Sequence, residues 1–293
     1  MRFFFKKQFF LAGTIVLFIF ALSPFATSCS SVPQNYSVPV GTTLENSSLF
    51  PEEINWIKIT DGFEEISHKV KNLKVSWTCV KIDLNTENLE FVMEPDEISE
   101  IYKTKKLKQF AKENKTIIAI NTTPFDNVTN TFAPIGILIN NQTLISMSVK
   151  RNDYAAVGFY RNIDNKLRAD LLCPQSTYLV SSKKYDYVIG GFFQILKDGN
   201  ISTFESIRRS RTACGIDSEG RFLFIFAATP DFSLNDQNGL TYEECAFILK
   251  NLGCNDALQF DGGHSTGLCI YTKEVQKPFF QRKVPAFLGI KTN

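Results

Sequence analysis

Residues 257–267 read Ala-Leu-Gln-Phe-Asp-Gly-Gly-His-Ser-Thr-Gly, an apolar run that ends in a carboxylate, two glycines, an imidazole and two hydroxyls. A strand that stops at Asp261 leaves its carboxylate with little side-chain bulk beyond it. Gly262 and Gly263 can take backbone conformations closed to other residues and let a ligand approach the main chain. Ser265 and Thr266 add hydroxyls, and the N–H groups of such a turn can form a nest for an anion. Phosphate oxygens and sugar hydroxyls are the ligands that suit this mixture. The same residues also make an ordinary tight turn in which the Asp caps backbone N–H groups, and residue types alone leave the two readings equal.

The elements that must position this turn are legible around it. Thr241 to Leu252 carries Cys245, Ile248, Leu249 and Leu252 on one apolar stripe. Thr241 suits the N-cap, Glu244 stands where a capping box needs it, and Gly253 closes the helix. A helix is also expected over Ser99–Asn114, rich in Lys and Glu. Short β-branched or aromatic runs predict strands at 73–80, 89–93, 116–120, 136–139, 155–160, 187–189, 213–216, 222–227, 257–260 and 267–271. Asn140-Asn141, Asp198-Gly199 and Asp217-Ser-Glu-Gly220 are turn signals, the last a hairpin. The expected fold class is α+β: a single, mostly β domain with a mixed sheet and a few packed helices.

Taken together, these blocks resemble the phosphodiester glycosidase family. Its strand ends in Asp-Gly-Gly-Gly-Ser after a helix with Glu near its start and Gly at its end, matched here by Glu244, Gly253 and Asp261-Gly-Gly-His-Ser265. An Arg-Thr-Ala strand before a hairpin is matched by Arg211-Thr-Ala-Cys-Gly-Ile-Asp217 and Gly220. Paired glycines followed by an Asp-Gly turn correspond to Gly190-Gly191 and Asp198-Gly199. The first block, Ala-Ile-Asn-Gly-Gly-Phe-Phe, is met by Ala119-Ile-Asn-Thr-Thr-Pro-Phe125, with Pro134 and Gly136 following. Order and spacing agree over about residues 115–290. Three positions depart: Thr122-Thr123-Pro124 replace glycines, His264 replaces the third glycine of its turn, and Gln259 stands for Asn.

The resemblance implies a hydrolase that releases a sugar from a phosphodiester, with Asp261, Glu244 and His264 as candidate catalytic groups. Candidate substrate contacts are Asn121, Arg211, Thr212, Gly262, Gly263 and Ser265. Carboxylates serve glycosidic cleavage by assisting the leaving group or stabilising an oxocarbenium-like centre, and a guanidinium fork fits phosphate oxygens. Each residue also has a structural reading: Glu244 as a helix cap, Asn121 as a turn residue, and Arg208 and Arg209 as a solvated cluster beside Arg211. No cofactor is required by the pattern, although Asp261 and Asn121 could offer oxygens to a divalent cation.

Composition narrows the partners. The 293 residues carry a formal charge of +2. Arg2, Lys6 and Lys7 precede an uncharged run from Phe9 to Leu22, and Ala26-Thr27-Ser28 precede Cys29, an order that resembles a lipoprotein signal peptide. The expected organisation is a signal peptide over 1–28, lipidation at Cys29, a Ser/Pro/Asn-rich tether over 29–50 and a phosphodiester glycosidase-like domain over 51–293. An uncleaved N-terminal anchor is the competing reading, and both place the rest of the chain outside the cytoplasm, in the periplasm or at the cell surface. Loss of the three cations takes the charge to −1, which gives no basic field for nucleic acid. The other six cysteines are too sparse for a disulfide scaffold and lack zinc-site spacing. The expected partners are a phosphorylated glycan and, through the lipid, a membrane. A non-catalytic lipoprotein that binds phosphorylated glycans, or a factor that processes exopolysaccharide, are the alternatives.

Overall fold

The computed structural model describes residues 46–148, 151–203, 207–231 and 238–292. The signal segment, Cys29 and the tether up to residue 45 lie outside the described residues. In chain order the strands are β1 (Ile57–Thr60), β2 (Phe63–Val70), β3 (Val75–Asp83), β4 (Leu89–Glu94), β5 (Ile118–Asn121), β6 (Gly136–Asn140), β7 (Thr143–Ser148), β8 (Tyr154–Arg161) and β9 (Leu167–Leu172). They continue as β10 (Tyr185–Lys197), β11 (Asn200–Ile201), β12 (Arg211–Ile216), β13 (Phe222–Pro230), β14 (Asp256–Gln259), β15 (Leu268–Ile270), β16 (Lys273–Gln276) and β17 (Phe287–Thr292). The α-helices are α1 (Leu107–Asn114) and α2 (Tyr242–Asn251).

Two sheets pack face to face. The larger has twelve strands with the path β1-β2-β3-β13-β12-β14-β10-β6-β7, and the smaller has the order β16-β15-β5-β17-β4. Alternation along the strands sorts the side chains into layers. Ile118 and Ile120 of β5, Leu288 and Ile290 of β17, Ile225 of β13 and Leu258 of β14 share the core between the sheets. Ala213, Phe226, Trp77 and Ala257 face the other way, onto Cys245, Ile248 and Leu249 of α2. On the far side of the small sheet, Leu107, Phe110 and Ala111 of α1 cover Ala119, Cys269 and Phe287. Each fully buried Ile or Leu in these layers contributes about 1.5–3 kcal/mol.

The expected mixed sheet is corrected: all strand pairs among the described residues are antiparallel. The helical crossover from β13 through α2 to β14 has the look of a parallel unit. However, β12 lies between the two strands and bonds antiparallel to each, so they run the same way without touching. The helix expected over Ser99–Asn114 is only its second half. Tyr102 donates its N–H to the Thr131 carbonyl (2.8 Å), and Lys105 exchanges two main-chain bonds with Val284 (3.1 and 3.0 Å). These tertiary bonds override local helix propensity.

Helix α2 keeps its predicted cap. The Thr241 hydroxyl accepts from the Glu244 N–H and the Glu244 carboxylate accepts from the Thr241 N–H, which completes the capping box. Gly253, at φ +108°, turns the chain out of the helix. Asp217 holds the hairpin, accepting from the N–H groups of Arg221 and Phe222. The last residues of the expected tether belong to the folded unit: Leu49 is buried and its carbonyl accepts from the Trp77 indole (3.0 Å). All six cysteines besides Cys29 are free thiols, buried except Cys173. No helix among the described residues is long and apolar enough to cross a membrane.

Candidate functional site

The chain leaving β14 is stitched alternately to both sheets. Phe260 donates its N–H to Thr212 and Gly263 donates to Ser210, both at the head of β12 in the large sheet (2.8 Å each). Between them Asp261 donates to Thr122 (2.8 Å), which itself donates to Ala286 beside β17 of the small sheet (3.1 Å). Asp261 therefore sits on the seam between the sheets. The glycines are required by this path. A Cβ on Gly262 would lie 2.8 Å from the Ser210 carbonyl, and Gly263 has φ +61° at the start of the short 3-10 turn Gly263–Ser265.

Asn121, at the end of β5, pins the seam. Its amide donates to the Asp261 carbonyl (2.7 Å), and its oxygen accepts from the Thr212 hydroxyl (3.0 Å) and the Gly267 N–H (2.9 Å). Both side chains are buried. Asn121 and Thr212, candidate substrate contacts in the sequence, are thus brought to Asp261, with the Asn121 oxygen and the Thr212 hydroxyl engaged in holding three segments together. An Asn121 oxygen already shared by two donors is a poor cation ligand. Among the described residues no group of three or more His, Cys, Asp or Glu could hold a metal ion.

Asp261 is 8% exposed. Arg282 donates Nη2 to its Oδ2 (3.0 Å) and Nε to the buried Ser265 hydroxyl (2.5 Å), which also bonds the carboxylate. Burial pushes the Asp261 carboxyl above its ordinary value of 3.8, while Arg282, Ser265 and the Gly262 N–H pull the other way. Burial wins, so this carboxyl holds its proton more tightly than one in water. The Arg282 guanidinium lies over Phe125, 4.6 Å from the ring centre. Arg282 is the site residue that sequence reading missed. It lies in the loop before β17 without any local motif, and the only signal for it was the demand of a buried carboxylate for a cation.

Other predicted residues are placed differently. Arg211 is 7% exposed, donates Nε to the Leu240 carbonyl (2.8 Å) and Nη2 to the Ile207 carbonyl, and lies over the Tyr242 ring (4.2 Å). Its fork braces the approach to α2. Both Glu244 oxygens are taken: Arg208 donates Nη2 to Oε1 (2.6 Å) and Nη1 to Oε2 (2.8 Å), and the cap bond from Thr241 also falls on Oε2 (2.9 Å). The solvated cluster expected at Arg208 is corrected, since that side chain is half-buried on Glu244. The His264 side chain is exposed, and its carbonyl accepts from the Arg282 N–H (2.8 Å).

Of the departures noted in the sequence, Thr122, Thr123 and Gln259 are buried polar groups around this seam, and Thr266 is buried beside them. The hydroxyls of Thr122, Thr123 and Thr266 and the amide of Gln259 have no oxygen or nitrogen partner. The Cys245 thiol is the polar group beside Gln259. Buried groups left this way cost free energy unless a ligand or water meets them.

The sequence profile described as phosphodiester glycosidase matches residues 114–291. Among solved structures, the fold is similar to the zebrafish N-acetylglucosamine-1-phosphodiester alpha-N-acetylglucosaminidase catalytic domain, determined auto-inhibited by its pro-peptide. That likeness has a TM-score of 0.63 at 19% identity and covers 81% of this chain and 86% of that one. A hypothetical protein from Synechocystis matches with a TM-score of 0.59 at 15% identity, over 83% of this chain and 64% of that one. No curated sequence matches. The profile spans more than half of the chain and includes the whole Asp261 seam, so the chain belongs to the phosphodiester glycosidase family.

Proposed function

We propose that this protein hydrolyses a glycosyl phosphodiester, breaking the bond from sugar C1 to the bridging phosphate oxygen. Water adds to C1, the oxygen leaves with the phosphate, and the products are a free sugar and a phosphomonoester. The observation that carries the reading is Asp261: a buried carboxylate of raised proton affinity, fixed at the seam of two sheets inside the family match. Its assigned role is to stabilise positive charge developing at C1 or to deliver a proton to the departing oxygen. A phosphate is already a good leaving group, so a single well-placed carboxylate suffices for much of the work. Glu244, bound on both oxygens, is assigned to the fold, and Arg211 to bracing α2.

In this reading the enzyme is an exported, lipid-anchored protein acting on phosphorylated glycans of the cell envelope. Support comes from the N-terminal pattern ending at Cys29 and from the charge of −1 once residues 1–28 are removed. The test is release of free sugar from a panel of glycosyl phosphodiesters in metal-replete buffer, with wild type and Asp261→Asn side by side. Activity in wild type and its loss in the variant is the expected result. Equal rates for the two, or a wild type inert on the whole panel, would overturn the proposal. Binding of phosphorylated glycans without turnover would instead favour a carbohydrate-binding lipoprotein, the reading kept open by Thr122-Thr123-Pro124 in place of glycines.

A further inference from the structure

A guanidinium has two edges, and in Arg282 only one is in use. The inward edge is committed, with Nε on Ser265 and Nη2 on Asp261. Nη1 has no hydrogen-bond partner among the described residues, and the side chain is 38% exposed. The group is nonetheless held in place. Its face rests on Phe125 (4.6 Å) and its own N–H is fixed to the His264 carbonyl. The neighbouring Gln281 amide donates to the Thr266 carbonyl (3.1 Å), and Val284 is paired with Lys105. Arg282 is therefore oriented on three sides with an open edge toward solvent. Arg211 differs, since its Nε and Nη2 donors end on main-chain carbonyls and it is almost wholly enclosed.

We infer that the outward edge of Arg282 receives the substrate phosphate while its inward edge stays on Asp261 and Ser265. The inference rests on the reading of Asp261 as the reacting carboxylate and names the group that brings the phosphate to it. Two physical arguments support it. A phosphodiester anion beside a buried carboxylate meets like-charge repulsion, and a cation shared between them offsets it. The planar fork also ties the two halves of the substrate to one frame: phosphate oxygens on one edge, and on the other the carboxylate that must face C1. Lysine offers no such pair of edges.

The test is calorimetric binding of an α-sugar 1-phosphate, and of the same sugar without phosphate, to the full chain as wild type, Arg282→Gln and Arg282→Lys. The expected result is a loss of about 10- to 100-fold for the phosphorylated probe in both variants, with binding of the bare sugar unchanged. If Arg282→Gln does not fold, Arg282→Lys carries the test: its ammonium can still pair with Asp261 but has no second edge. A variant that binds the sugar phosphate within about twofold of wild type overturns the inference, as does a wild type that does not bind it. The two readings fail separately. Arg282-dependent binding without hydrolysis sinks the proposed activity alone. Hydrolysis with an unchanged KM in both Arg282 variants sinks this inference alone.

Discussion

Replacing Glu244 separates the two roles open to a carboxylate at the head of α2. Its oxygens accept three hydrogen bonds, two from Arg208 and one from the Thr241 N–H, and the side chain is 13% exposed against 31% for Arg208. A lost half of a capping box costs about 0.5–1 kcal/mol, at the low end of cap substitutions. The two charge-assisted bonds would be worth about 1.5–3 kcal/mol each if buried, but partial exposure of Arg208 discounts them toward surface values. Glu244→Ala should therefore lower unfolding free energy by about 2–4 kcal/mol, and Glu244→Gln, which keeps an acceptor but loses the charge, by about 1–2 kcal/mol. Urea denaturation at an unchanged slope measures this, and the Arg208→Ala, Glu244→Ala cycle isolates the pair term. The turnover of folded Glu244→Gln on a glycosyl phosphodiester should stay within about threefold of wild type, since a cap touches no substrate. A Glu244→Gln protein as stable as wild type but about 100-fold slower would refute the argument and return Glu244 to the catalytic set.

Further outcomes follow from the seam. Asn121→Ala strips a partner from the Asp261 carbonyl, the Thr212 hydroxyl and the Gly267 N–H. It should cost about 3–5 kcal/mol by chemical denaturation and lower activity in the molecules that still fold. Gly262→Ala drives a Cβ to within 2.8 Å of the Ser210 carbonyl, so a loss of about 1–3 kcal/mol is expected from melting curves, with activity falling more than stability. The Asp261 carboxyl is raised above 3.8 by burial. A group that binds its proton more tightly when folded favours the fold in acid, and that contribution disappears as pH rises through its folded value. Asp261→Asn has no such proton, so its melting temperature relative to wild type should climb with pH from 3.8 upward and level off above the folded value. A difference that is flat across that window would show that burial does not govern this carboxyl.

The parts of the fold carried by short-range chemistry were legible in the sequence. The capping box at Thr241 and Glu244 and the Asp217 hairpin are each closed within five residues, and local rules suffice for them. The strands β2 and β17 were missed because Phe63–Val70 is studded with charges and Phe287–Thr292 carries Gly289, which weakens a strand pattern, at its middle. The antiparallel character of the sheet depends on β12 lying between β13 and β14, a choice of neighbour that no local pattern encodes. At the site, Asp261 and Asn121 were found through their motifs. Arg282 was not, because its place at Asp261 and Ser265 is set by loop closure before β17. Glu244 and Arg211 were marked as chemical groups because carboxylates and guanidinia look alike whether they serve a substrate or a helix end. Their partners favour the structural role, and those partners, Arg208 and the Leu240 carbonyl, come from other segments.

The stitching of residues 260–263 to both sheets makes the turn a gauge of how the two layers are aligned. Phe260 and Gly263 take their positions from the large sheet and Asp261 takes its position from the small one, so a slide of one layer over the other is converted directly into a rotation of the carboxylate. Under the proposed activity, side chains far from the seam, such as Phe91, Ile225 and Ile290 in the shared core, would thereby become determinants of rate. Trimming them should then do more than loosen the protein: under the proposed activity it should lower turnover beyond the loss of stability. Adaptation of this scaffold to a new sugar can accordingly proceed by repacking between the layers, with every residue that touches substrate left in place.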